Sequence, residues 1–217
     1  MKNSEPVESK SQQDSGEKMT EIKMFNKWSS EIEVNDPGLK NYINLKPIIV
    51  PRASHGRHSQ KKFYKSDISI VERLMNHLFV PGHRGKKHKL SSGNCIGKSI
   101  TTYDVVKECF EIVEKKTEKN PLEVFVRALE NAALREEVSS YQMGSIIVRK
   151  AVITSPQRRI DLALRYFTQG AYRKSFKNKK TMAECLADEI MAAYNYSKES
   201  NAIQEKERLE REAEGAR

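Results

Sequence analysis

Three groups of residues have the types and spacing to do chemistry. The first is Ser92-Gly93-Asn94-Cys95-Ile96-Gly97-Lys98-Ser99, which looks like a phosphate-binding loop whose backbone N–H groups cradle phosphates while a lysine reaches them. That motif needs four residues between its glycines, and here there are three. It should also follow a buried strand, yet the preceding residues from Gly85 to Ser91 read as a basic loop, and no later apolar strand ends in an aspartate to hold magnesium. The second group is the five histidines His55, His58, His77, His83 and His88, whose spacing fits no common zinc pattern. The third is the carboxylates Glu108, Glu111, Glu114 and Glu118, which read as the solvated face of a helix. No Ser/His/Asp arrangement stands out. The residues argue against an enzyme and call for no metal, cofactor or small-molecule substrate.

The remaining chemistry is positive charge. The 217 residues carry 39 Lys and Arg against 29 Asp and Glu, a net +10, and the surplus sits in two blocks. Pro51 to Lys98 holds eleven Lys/Arg against two acids, and Gln157 to Lys180 holds eight against one. The stretches between and around them are balanced or acidic. Charge placed this way suggests a folded body presenting a polyanion-binding face. An anionic membrane would want amphipathic helices with aromatics opposite lysines, whereas these blocks are rich in Gly, His, Ser and Pro. Nucleic acid is the better partner.

The candidate contacts in the first block are Arg52, Lys61, Lys62, Lys65, Arg84, Lys86, Lys87, Lys89 and Lys98. In the second they are Arg158, Arg159, Arg165, Arg173, Lys174, Lys177, Lys179 and Lys180, joined by Arg149 and Lys150 just upstream. Arg149-Lys150 and Arg158-Arg159 flank one strand-to-helix junction and are expected to lie close in space, the second pair at a helix N-terminus, where free N–H groups and the helix dipole favour phosphate. Tyr166, Phe167 and Tyr172 are interleaved; Phe167 reads as core, and stacking on bases is open to the others.

Elements must position these groups. Residues 1–21 are polar and read as a disordered tail; 22–65 read as an N-terminal extension and basic arm anchored by Met24, Phe25, Trp28 and Val34, with a turn at Asp36-Pro37-Gly38; 66–217 read as one helical RNA-binding domain. A helix capped by Ser66 carries Ile68, Val71, Leu74, Met75, Leu78 and Phe79 on one stripe. Pro81-Gly82 stops it, and a basic loop runs from His83 to Lys98. A second helix covers about 102–119. Asn120 as cap and Pro121 at the first helical position begin a third, ending near Arg135. Two β-prone runs around Gly144-Ser145 form a hairpin over about 136–154, the only β-structure expected. Two strands do not stand alone, so the ribbon must pack on helices or grip a partner. Ser155-Pro156 restarts helix; 170–180 reads as a basic loop. Thr181-Met-Ala-Glu184 is a capping box opening a fifth helix, and a sixth from Ser200 to about Glu214 is expected largely at the surface. The fold class is mainly α: about six helices with a protruding two-stranded hairpin between the third and the fourth. The three cysteines, Cys95, Cys109 and Cys185, make no CxxC and fit a reducing cytosol. No apolar run approaches the roughly 18 residues of a membrane span, and no secretory signal is read at the N-terminus.

Several segments resemble small-subunit ribosomal protein seven. They are Lys150-Ala-Val-Ile-Thr-Ser-Pro-Gln-Arg-Arg159 at the ribbon-to-helix junction, Asn120-Pro-Leu-Glu-Val-Phe-Val-Arg-Ala-Leu-Glu130, Ile70-Val-Glu-Arg-Leu74 and Lys180-Thr-Met-Ala-Glu-Cys-Leu-Ala-Asp-Glu189. The likeness runs in order from about Ile48 to the C-terminus, where Arg217 stands near the family's usual basic end. The Ala-Glu-Cys-Leu-Ala-Asp-Glu run and the preceding Phe-Lys-Asn point to the archaeal and eukaryotic branch. The resemblance implies a helical body with a protruding ribbon that binds the 3′ major domain of small-subunit rRNA, nucleates assembly of the head and touches neighbouring head and platform proteins. It places the ribbon near the tRNA exit site and the path of mRNA, in a cytoplasmic ribosome. By the same likeness Arg149, Lys150, Arg158, Arg159, Lys61, Lys62, Lys65, Lys86, Lys87 and Lys89 should face RNA. Two features depart from the family pattern: the long His83–Lys98 loop, and a first ribbon strand less basic than the bacterial form, which makes the second strand the better candidate for contact. The rival readings are a helical DNA- or RNA-binding protein outside the ribosome and a small NTPase using Gly93–Ser99.

Overall fold

The computed structural model describes residues 22–50, 56–84, 87–88 and 98–217, with 57, 83, 84, 87 and 88 as backbone. Six helices and two antiparallel hairpins follow in order: α1 (Ile70–Leu78), β1 (His83–Arg84), β2 (Lys87–His88), α2 (Ser99–Thr117), α3 (Pro121–Ala132), β3 (Glu136–Met143), β4 (Ile146–Ile153), α4 (Pro156–Ser175), α5 (Met182–Tyr194) and α6 (Asn201–Glu214). The mainly α architecture with a hairpin between α3 and α4 is therefore as expected.

Helix α5 is the hub, packing against α2, α3 and α4. Its capping box is formed as expected: Thr181 Oγ1 accepts from Glu184 N at 3.2 Å, and Glu184 Oε2 from Thr181 N at 3.0 Å. Alanines 183, 187 and 193 are buried beside Leu186 and Ile190, and their short side chains let three neighbours approach one helix. Asn120 caps α3 by accepting from Leu122 N at 3.1 Å, with Pro121 at the first turn. Ahead of α1, Met24, Phe25, Trp28, Leu39 and Ile43 enter the same core. Phe25, Trp28 and Phe110 meet edge-on with centroids 5.7 to 6.1 Å apart, an arrangement aromatic quadrupoles favour, and Phe125 continues the cluster at a tilt, 5.9 Å from Phe110.

Five features differ from the sequence reading, the first being the end of α3, which stops at Ala132 rather than near Arg135. Helix α1 is entered through Ser69, not Ser66, which lies in a 3-10 turn from Tyr64 to Asp67. Helix α2 starts at Ser99, three residues before the expected Thr102. A second, two-residue hairpin, β1–β2, stands in the basic loop where no β-structure was expected. The expected loop at 170–180 shrinks to its second half, because α4 runs through Gly170 to Ser175. That glycine is a notch rather than a breaker: a Cβ there would lie 2.8 Å from Asn201 Cβ and 2.9 Å from the Glu189 carboxyl. The buried Glu189 in turn accepts from Lys174 Nζ at 2.6 Å, Ser200 Oγ at 2.9 Å and Ala202 N at 3.2 Å, fastening α4, α5 and α6 together.

The β3–β4 ribbon runs in unbroken register from Glu136↔Ile153 to Met143↔Ile146. Gly144 takes φ 58, the left-handed value that primed two-residue turns require. The ribbon's base packs on α6, while Met143, Ile146 and Ile147 at the tip are exposed. Of the two alternatives for a lone hairpin, packing on helices is met, since the ribbon leans on α6.

Candidate nucleic-acid interface

The two basic blocks meet in one groove of about 560 Å³. One wall is the arm, with Lys61, Lys62, Phe63 and Lys65; the other is the start of α4, with Ser155, Arg158, Asp161, Leu162 and Arg165. Arg158, Asp161, Leu162 and Arg165 share a wall because residues three, four and seven apart stack on one helical face. Leu162 turns inward and is buried, and Arg165 is exposed. The first turn of α4 carries no acid, so its free N–H groups and dipole add to the positive field.

Asp161 is the carboxylate of this groove, and it is tied down. It accepts from Arg73 Nη2 at 2.9 Å and Lys65 Nζ at 3.3 Å, with His77 Nε2 at 3.9 Å. Burial pushes its pKa up, but the nearby His77, the hydrogen bond from Arg73 and the charges of Arg73 and Lys65 outweigh that and hold the carboxyl well below its usual range. Arg73 is 4% exposed and also donates to Tyr42 O at 3.1 Å. These contacts lock the arm, α1 and α4 into one wall. Asp161 therefore fixes Lys65 rather than repelling a phosphate.

The cations differ in how free they are. Lys61 and Lys62 are exposed, Lys61 resting 5.6 Å from the Tyr64 ring. Arg158 is exposed but is clasped by both oxygens of Glu137 at 2.7 to 3.0 Å, which raises its pKa. Arg159 turns away from solvent: its side chain is 12% exposed, donating to Asp36 Oδ2 at 2.8 Å and Leu134 O at 3.1 Å.

Arg149 and Lys150 lie outside the groove. They sit on β4 opposite Ser140 and Ser139, exposed and with no ion pair among the described residues. At roughly 3.3 Å per residue they stand about 10 Å up the ribbon from its base, and adjacent strand residues face opposite ways. The expected single cluster at the strand-to-helix junction is therefore two features, a ribbon pair and a helix-start pair. Helix α4 also divides the second block: at 1.5 Å per residue Arg173 lies roughly 12 Å along the axis beyond Arg165, the last α4 residue of the groove. Around that far end Arg173, Lys177 and Lys179 are exposed, whereas Lys174 is held by Glu189, and Lys180 by Asp188 at 2.9 Å. Lys98 precedes α2 and is exposed. Arg84 and Lys87 face each other in the β1–β2 register. Arg52, Lys86 and Lys89 lie outside the described residues, as do Cys95 and most of the Ser92–Ser99 loop.

Phe167 is core, as expected, whereas Tyr172 is buried too and so is closed to bases, and Tyr166 is half-buried. The exposed rings beside the cations are Phe63 and Tyr64, on the arm. The sequence signal for them is the aromatic pair inside Lys61-Lys62-Phe63-Tyr64-Lys65, a segment in which charge is the more conspicuous feature. Among the described residues no three His, Cys, Asp or Glu side chains are grouped to hold a metal, and no helix is long and apolar enough to cross a membrane. Cys109 and Cys185 are buried and unpaired, and burial pushes the Cys109 thiol far up.

Comparison with known proteins bears on this arrangement. Residues 39–217 match the family described as Ribosomal protein S7p/S5e. The chain is 48% identical over 197 residues to the small ribosomal subunit protein uS7 of Nanoarchaeum equitans, spanning 90% of this chain and 99% of that protein. It is 47% identical over 198 residues to the protein of the same name from Archaeoglobus fulgidus, spanning 91% and 96%.

Proposed function

From the premise that the chain belongs to the ribosomal protein S7p/S5e family, we propose that it binds the 3′ major domain of small-subunit rRNA through the groove between the arm and α4. It is a structural, non-enzymatic component of the small ribosomal subunit, working in the cytoplasm. In the proposed role it nucleates assembly of the subunit head, touches neighbouring head and platform proteins, and holds its ribbon near the tRNA exit site and the mRNA path.

The observation that carries this reading is the meeting of both basic blocks in one groove. Lys61, Lys62 and Lys65 from one block face Arg158 and Arg165 from the other. Phosphate neutralisation there supplies affinity by releasing counterions. The shape of the arm, helix and ribbon supplies register, because an A-form helix is read by outline and backbone rather than by its deep groove. Arg149 and Lys150 would add contacts from the ribbon, and Arg173, Lys177 and Lys179 from the far end of α4.

The test is binding of the purified chain to a transcript of the 3′ domain, with and without excess tRNA, at several salt concentrations. Tight binding that survives the competitor is expected. Replacing Lys61, Lys62 and Arg165 together by alanine should reduce the salt slope by about 2 to 3. Equal displacement by any RNA would overturn the specific role, and an unchanged slope would remove the groove from the interface.

A further inference from the structure

We propose that Phe63 is a stacking platform for an unpaired nucleobase, so that the groove takes a bulged or looped-out nucleotide as well as a phosphate backbone. The inference rests on the proposed RNA-binding role of the groove. It begins with backbone conformation. Among the described residues six non-glycine positions have left-handed φ. Glu118, Lys177 and Tyr196 follow the ends of α2, α4 and α5, where this conformation closes the last turn. Phe25 and Asn26 make the turn between the bridged Met24 and Trp28, and Phe25 is 5% exposed with its ring against Trp28, Tyr103 and Phe110. Core packing accounts for its strain.

Phe63 has neither explanation. It has φ 65 and ψ −1 ahead of a 3-10 turn rather than after a helix, and it is 60% exposed. Among the described residues its one ring contact is with the edge of Tyr42, centroids 6.5 Å apart. The turn is held by Ser66 N donating to Phe63 O at 2.9 Å, and Lys65 ties it to Asp161 on α4. A strained residue persists where its surroundings over-determine it, and such positions cluster at ligand clamps. Here the surroundings hold an apolar ring in water on a wall of the groove, beside Lys61 and Lys62 and across from Arg158 and Arg165.

The charge around the ring selects the occupant. An apolar protein partner would have to desolvate these cations to reach it. RNA satisfies both chemistries at once, phosphates on the cations and a base on the ring. A paired base inside an A-form helix offers no open face, so the base must be unstacked, as in the bulges and loops where aromatic side chains bind RNA.

The experiment uses the full chain and the 3′-domain transcript at several salt concentrations. Phe63→Ala and Phe63→Leu should each bind about 5- to 150-fold more weakly, with the wild-type salt slope, because stacking releases no counterions. Phe63→Tyr should bind like the wild type. Phe63→Trp should show indole emission quenched on adding RNA. Unchanged circular dichroism and melting in all four would exclude misfolding as the cause. Phe63→Leu binding as tightly as the wild type, or a Phe63→Trp signal indifferent to RNA, would overturn stacking while leaving the groove's role standing. A wild-type chain that does not prefer the transcript would bring down both.

Discussion

Arg149-Lys150 and Arg158-Arg159 look equivalent in sequence, two basic pairs on either side of a strand-to-helix junction. In the fold they share almost nothing. The ribbon pair is exposed, lies opposite two serines and has no ion pair among the described residues. The helix pair is met by carboxylates: Glu137 from β3 clasps Arg158, and Asp36 from the N-terminal segment takes Arg159. The contrast teaches that a cation's availability to RNA is set by the acids that tertiary structure carries to it. Charge density in sequence locates an interface; the internal partners decide which of its cations are spare.

The largest effect should come from Arg159→Ala. It removes an ion pair and a backbone hydrogen bond from a side chain 12% exposed, and should cost about 2 kcal/mol in urea unfolding. Arg158→Ala removes a clasp on a side chain 54% exposed and should cost under about 1 kcal/mol. The pH dependence separates them further. Burial pushes the Asp36 pKa up, but the Gly38 N–H and Arg159 outweigh that and lower it from 3.8. A depressed carboxylate stabilises the fold above its unfolded pKa, and that stability is lost as pH falls through the folded value. Arg159→Ala should therefore flatten part of the stability loss below about pH 4. Equal destabilisation by the two substitutions would erase the distinction between a structural and a spare arginine.

The ribbon pair gives the next effect, on binding rather than stability. Arg149→Ala with Lys150→Ala should leave the free energy of urea unfolding within about 0.5 kcal/mol of wild type and lower the salt slope for rRNA. A fall of about 2 would mean that both meet phosphates. A fall of about 1 would mean that RNA lies along one face of the ribbon, because neighbouring strand residues point to opposite sides.

What was legible in the sequence was local. The Thr181–Glu184 capping box, the Asn120-Pro121 start and the Gly144 turn depend on residues a few positions apart and appear as read, as does the α1 stripe from Val71 to Leu78, although Ile68 and Phe79 fall outside that helix. The misreadings came where a distant partner decides. In sequence Gly170 reads as the start of a loop, but its meaning lies in Glu189 and Asn201 across the helix packing. Tyr172 reads as open to bases because nothing nearby in sequence shows that α4 buries it. The internal partners of Arg158 and Arg159 stand 21 and 123 residues away, and no charge count reveals them. The likeness to a family carried the function further than the residues alone could, since a groove of cations says polyanion and not which one.

The sharpest probe of the comparison is Glu137→Gln. Glutamine keeps the shape of the side chain but removes the charge that clasps Arg158. If Arg158 is a phosphate contact held in reserve, freeing it makes the helix-start pair behave more like the ribbon pair. Affinity for the 3′-domain transcript should rise about 3- to 10-fold at low salt, and the slope should steepen by about 1, because one more cation reaches a phosphate. The same substitution in an Arg158→Ala background should have little effect, and the double-mutant cycle isolates the exchange of carboxylate for phosphate from the general loss of a negative charge. An increase that survives in the Arg158→Ala background would be that general field effect. No increase in either background would mean that Arg158 and Glu137 stay paired on RNA. Both helix-start arginines would then belong to the scaffold, Arg158 bracing the ribbon and Arg159 the N-terminal segment, and the spare cations of the junction would all lie on the ribbon and the arm.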